Sequence, residues 1–145
     1  MAKLENGSTT SFLTLSEFES TKLNYRYKNG DKITLLTDVT CKGGAQLTGA
    51  SKISATLDLN GKTLTLTSGC LAKTTTHYDR TLSFNLISSN GKGTLTMASG
   101  NTTPVFSMYG PYSVTVGSKE DYQNGNVVEI NANRLLEATP IGNND

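Results

Sequence analysis

Asn-Gly recurs along this chain at Asn29-Gly30, Asn60-Gly61, Asn90-Gly91 and Asn124-Gly125, in steps of 31, 30 and 34 residues. Each pair leads into a strand-like run: DKITLL, KTLTL, KGTLTM and NVVEI. Asn and Gly accept a left-handed backbone at little cost, so the chain must turn sharply at corresponding places. The second and third copies also share a tail, TLTLTSG and TLTMASG. Two architectures compete for this pattern. Asn-Gly between alternating runs is a strong hairpin signal, which would fold residues 53–59 back onto residues 62–67 within an antiparallel β-sandwich. A near-constant period instead favours equivalent turns stacked about 4.8 Å apart, which a sandwich does not need. The period decides for stacking.

At 145 residues the chain fits one domain with a modest core. Thirteen basic and twelve acidic residues are dispersed without runs. Neither nucleic acid nor membrane insertion is therefore expected. Thr, Ser, Asn and Gly dominate, with three Pro and no Trp, a composition for half-buried strands joined by tight polar turns. MAKLENGSTTSFLTL lacks the apolar core of a secretory signal, and no apolar run approaches the roughly 20 residues of a membrane-spanning helix. Cys41 and Cys70 read as free, partly buried thiols.

KNGDKITLLTDVTCKGGAQLTGASKISATLDLNGKTLTLTSG resembles the opening coils of right-handed parallel β-helix domains of the pectate-lyase-like kind, found in bacterial surface proteins and phage spike or fibre proteins. The resemblance runs from Phe12 to about Gly100 and carries no catalytic motif. It implies an all-β fold, a short right-handed parallel β-helix with an N-terminal capping helix. The single solenoid domain would span residues 1–145, with a cap over 12–30, coils over 31–130 and a C-terminal cap or tail over 131–145. In LSEFESTKL, Ser16 as N-cap with Glu19 three residues on predicts that helix, and Leu15, Phe18 and Leu23 would cover the open end. NANRLLEATP predicts a short helical turn burying Leu135 and Leu136, stopped at Pro140. The expected core reads Ile33, Leu35, Val39, Leu47, Ile53, Leu57, Leu59, Leu64, Leu66, Leu71, Leu82, Phe84, Leu86, Leu95, Met97, Val105, Phe106, Val114, Val116, Val127, Val128 and Ile130.

His77 is the only histidine, so any Ser-His-Asp or Cys-His relay would pass through it, and no G-x-S-x-G elbow accompanies it. One His and two separated Cys do not make a tetrahedral zinc site. Asp58-Leu59-Asn60-Gly61 begins like a calcium loop but lacks the later ligands, and Glu120-Asp121 lies in a polar segment that reads as a solvated turn. No catalytic residue, metal or cofactor is assigned. A polysaccharide lyase or hydrolase is the least favoured class, since paired carboxylates across a groove are not evident.

What remains is surface. Tyr25, Arg26 and Tyr27, then His77, Tyr78 and Arg80, then Tyr109 and Tyr112 form three clusters of the side chains most enriched at binding hot spots, although Tyr is also a good strand residue. They are the candidate partner-binding residues. The expectation is a non-enzymatic virion structural protein of a bacteriophage, a capsid decoration, head fibre or spike component, assembled in the host cytoplasm. Its partners would be copies of itself, as a trimer by analogy with spikes, together with capsid or tail proteins and a host surface glycan. The alternative is an adhesin or glycan-binding module at the bacterial cell surface.

Overall fold

The computed structural model describes residues 1–19, 27–43, 46–47, 52–74, 81–109 and 112–139. Alternating apolar and Thr/Ser residues make strand the dominant regular structure here, as side chains pointing to opposite faces require. The chain opens with β1 (Ala2–Asn6) and β2 (Thr9–Leu13), an antiparallel hairpin, followed by the four-residue helix α1 (Leu15–Phe18). Next come β3 (Lys32–Leu35), β4 (Val39–Cys41), β5 (Gln46–Leu47), β6 (Lys52–Asp58), β7 (Thr63–Leu66) and β8 (Ala72–Thr74). The second half holds β9 (Thr81–Ile87), β10 (Gly93–Met97), β11 (Phe106–Tyr109), β12 (Tyr112–Val116), the short helix α2 (Lys119–Gln123), β13 (Val128–Asn131) and β14 (Leu136–Thr139).

From β3 onward the strands are dealt to three sheets in rotation. The sheets read β12-β9-β6-β3-β1-β2, β13-β10-β7-β4 and β14-β11-β8-β5, and every pairing from β3 on is parallel. Three successive strands, one per sheet, make a round, and the next round lies alongside it. Columns of like residues result: Leu57 pairs with Leu86 and Leu86 with Val116, while Leu64, Leu95 and Ile130 form a second column. All three sheets turn an apolar face to one core, where Tyr27 meets Phe84 at 5.2 Å between ring centres and Phe84 meets Phe106 at 5.8 Å.

The expected right-handed parallel β-helix behind a capping helix is corrected by this arrangement. The strands fall into three separate sheets, the largest is mixed because the β1-β2 hairpin leads it, and among the described residues α-helix is confined to segments of four and five residues. The antiparallel sandwich fails as well, because β6 and β7, on either side of Asn60-Gly61, lie in different sheets and do not pair. The reason is local. Leu57, Asp58 and Leu59 are all buried, so the alternation breaks and the chain bends inward before the turn instead of folding back.

A true Asn-Gly hairpin does exist, at Asn6-Gly7, which the periodic reading passed over. Asn6 is registered with Thr9, leaving a two-residue loop, and Gly7 has φ 58° at its first position, as a type II′ turn requires. β1 then pairs antiparallel with β3, so a strand and not a helix covers the first edge of the largest sheet. The helix that follows is capped by Thr14 with Glu17, not by Ser16 with Glu19. Of its predicted apolar face Phe18 is buried and Leu15 packs against the core, while Leu23 lies outside the described residues.

The predicted core holds best in the middle rounds, where Leu57, Leu64, Leu86 and Leu95 are fully buried. Met97, Val114, Val127, Val128 and Ile130 are half-buried and Val116 is 40% exposed. Leu47 and Leu82 are placed in strands, but their side chains lie outside the described set. Leu135 and Leu136 are 51% and 45% exposed, and Leu136 begins strand β14 where a buried helical turn was expected. Pro140 lies outside the described residues.

Candidate functional site

Polar side chains gather at the corners between sheets and tie down backbone there, although Asp58 Oδ2 is buried with no hydrogen bond among the described residues, 3.8 Å from Lys32 Nζ. The Asp58 Oδ1 atom accepts hydrogen bonds from the backbone N–H groups of Asn60 and Ser89, both at 2.9 Å, so one carboxylate shapes its own turn and ties down the next. The Asn60 side chain donates to the Leu35 carbonyl at 2.8 Å, one round back. Ser88 Oγ accepts from the Gly61 N–H at 2.9 Å and donates to the Gly91 carbonyl at 2.8 Å. Asn126 Oδ1 accepts from the Gly91 N–H at 2.9 Å, carrying the same tie to the last round. Gly61 (φ 70°) must be glycine twice over, since an added Cβ would also run into the Asn90 carbonyl.

A second corner is held by Asn101. Its side-chain amide donates to the carbonyls of Leu66 and Gly69, each at 3.0 Å, and its Oδ1 accepts from Thr103 Oγ1 at 2.7 Å. These bonds tie the bend at Gly69 to the next round, and the Leu66 carbonyl accepts from the Ala98 N–H at 2.9 Å as well. Above this corner, the segments 97–102 and 131–133 enclose a recess of about 360 Å³ lined by Ser99, Asn101, Thr102, Asn131 and Asn133, with Met97, Ala98 and Ala132 supplying apolar atoms. Its lining is polar and uncharged. Sequence reasoning missed it, although the period near 30 residues that aligned the Asn-Gly turns also sets ASGNTT beside NAN.

The predicted partner-binding residues are dispersed. Tyr27 is fully buried with its ring on Phe84, out of reach of any partner molecule, and among the described residues its hydroxyl finds no hydrogen-bond partner. Burial, with the neighbouring Cys41 and Asp31 groups, drives its ionisation well above the usual range. Tyr112 is half-buried and packs against the core from β12, and Tyr109 is placed at the end of β11. Tyr25, Arg26, His77, Tyr78 and Arg80 lie outside the described residues.

Cys41 and Cys70 are both free and buried. Burial, helped by the Glu19 carboxylate, pushes the Cys41 thiol up to about 12, and burial raises Cys70 too, so neither is a ready thiolate nucleophile. Glu120 and Asp121 fall in the first turn of α2, where Ser118 is the N-cap, in place of the expected solvated turn. Lys92 holds Glu129 at 3.1 Å on the surface and keeps its carboxyl below the ordinary range. Among the described residues no group of three or more His, Cys, Asp or Glu side chains could hold a metal ion, and no helix is long and apolar enough to cross a membrane. Comparison of the chain with protein-family models, with characterised proteins and with solved structures finds no match.

Proposed function

We propose that this chain is a non-enzymatic structural protein of a bacteriophage particle, a capsid decoration, head-fibre or spike component that works through its surface. One observation supports the reading above others. Asp58, Asn60, Ser88, Asn101 and Asn126 are each hydrogen-bonded to backbone groups of their own or a neighbouring round. Side chains that could carry chemistry are thus engaged in fixing a stack of strands, which suits a rigid element that presents faces to other proteins. Self-association and contact with capsid or tail proteins follow from that role, with assembly in the host cytoplasm.

The test is location. Purified particles labelled with an antibody against this chain and imaged by electron microscopy should carry it at regular positions on the head, fibre or tail. Particles that lack it would refute the reading.

A bacterial cell-surface adhesin or glycan-binding module is the second reading, favoured by the uncharged recess between residues 97–102 and 131–133, whose amides and hydroxyls suit a neutral sugar. Label on intact bacteria in the same imaging experiment selects it over the first.

A further inference from the structure

The last round lies open in all three sheets at once. Among the described residues β12, β13 and β14 each have a neighbour on one side only. The columns of the core stop there uncovered. Val116 is 40% exposed where Leu86 and Leu57, its partners in the column, are fully buried. Leu136 is 45% exposed where Phe106 and Ala72 are buried, and Ile130 is half-buried above the buried Leu95 and Leu64. Helix α2, which follows β12, buries none of its residues and does not roof this end. Unpaired backbone edges together with uncovered aliphatic side chains form a surface that calls for more strand.

We propose that a second copy of this chain covers it, end to end, about a two-fold axis at Val114. A single extended peptide can extend one edge only. To extend all three, a partner must present three strands disposed around a core in the same way, and this end of another copy does so. Its opposite end does not, because the β1-β2 hairpin carries the largest sheet two strands beyond β3 there, while the other two sheets stop at β4 and β5, so the three edges are not level.

The two-fold relation reverses strand direction at every edge. β12 then pairs antiparallel with its counterpart, Val114 against Val114, Ser113 against Thr115 and Tyr112 against Val116, and β13 of each copy lies along β14 of the other. No charge is placed on β12 by this register, since TYR-SER-VAL-THR-VAL is neutral throughout. Glu129 reaches the junction already neutralised by Lys92 at 3.1 Å, so Glu137 of the other copy meets an ion pair in place of a bare carboxylate. The contact depends only on the open end, so it stands or falls separately from placement in a particle.

Sedimentation or light scattering of the full chain across micromolar concentrations should give a mass moving from one copy to two. Val116→Lys, which places a charge in the covered stack, should raise the dissociation constant about ten-fold or more while leaving the folded spectrum intact, since Val116 is already part-exposed in the single copy. Val114→Cys reports the geometry without disturbing size. Mild oxidation should link two copies through that position, whereas Thr10→Cys, on the exposed face of β2 at the other end, should not link. A mass of one copy throughout, a trimer, or linking through Thr10→Cys but not Val114→Cys would each overturn the pairing.

Discussion

The two ends of this molecule are built from the same kinds of residue and finished in different ways. At the first end, Ala2 and Leu13 of the hairpin, Phe18 of α1 and the ring of Tyr27 are buried, and β1 satisfies the edge of β3. At the last end Val116, Leu135 and Leu136 stand open, and among the described residues no hairpin extends any of the three sheets beyond the last round, whereas at the first end only β4 and β5 are left as edges beside the hairpin. Position in the stack therefore governs burial more than residue type. Leu86 and Val116 share a column, yet one is fully buried and the other 40% exposed, because a round lies on both sides of Leu86 and on one side of Val116.

The sharpest way to break that comparison is to shorten the same column at two heights. Leu86→Ala leaves a cavity between rounds and should cost about 2–5 kcal/mol, while Val116→Ala in the single copy should cost under about 1 kcal/mol. Urea unfolding at concentrations too low for copies to pair measures both. Equal losses would mean that the last round is as covered as the middle ones. If copies do pair, the cost of Val116→Ala should grow with protein concentration and that of Leu86→Ala should not.

A smaller effect is expected at the corners. Asp58→Ala removes a buried carboxylate that accepts from two backbone N–H groups in successive rounds and should cost about 2–3 kcal/mol, because two charge-assisted hydrogen bonds are lost together. Glu129→Ala breaks the exposed pair with Lys92 and a long, exposed bond from Asn131 in the last two rounds and should leave the unfolding midpoint nearly unchanged. Comparable midpoints for the two variants would show that Asp58 is not the tie the geometry makes it.

The positions of these turns were legible in the sequence because Asn-Gly marks places where a left-handed backbone fits, and Gly30, Gly61, Gly91 and Gly125 all have positive φ. The dipeptide does not say what lies on either side of the turn. At Asn6-Gly7 the flanking strands pair with each other; at Asn60-Gly61 they go to different sheets, and the mark of that choice is three consecutive buried residues, Leu57 to Leu59. The hairpin and the open last round escaped notice for one physical reason: alternation specifies which face of a strand is apolar, not whether another strand lies beside it. The recess at 97–102 and 131–133 was equally hidden, since no charged or aromatic residue draws attention to it.

The mildest prediction concerns the closed end, where Tyr27 carries a buried hydroxyl with no hydrogen-bond partner among the described residues. Tyr27→Phe removes an unsatisfied polar atom and keeps the ring on Phe84, so the melting temperature at pH 7 should stay the same or rise slightly. The larger consequence appears in alkali. Cys41 ordinarily ionises near 9 and is pushed up to about 12 in the fold, and Tyr27, ordinarily near 10, is raised as well, both chiefly by burial. The native state thus keeps protons that the unfolded chain releases, so the stability they contribute is whole below about pH 9 and is lost as pH climbs from there through about 12. Melting curves from pH 8 to 11 should therefore fall in the parent chain and fall less steeply in Tyr27→Phe and in Cys41→Ala. The open end has no such buried acid among its described residues, and an alkaline slope untouched by both substitutions would place the sensitivity elsewhere and remove this distinction between the ends.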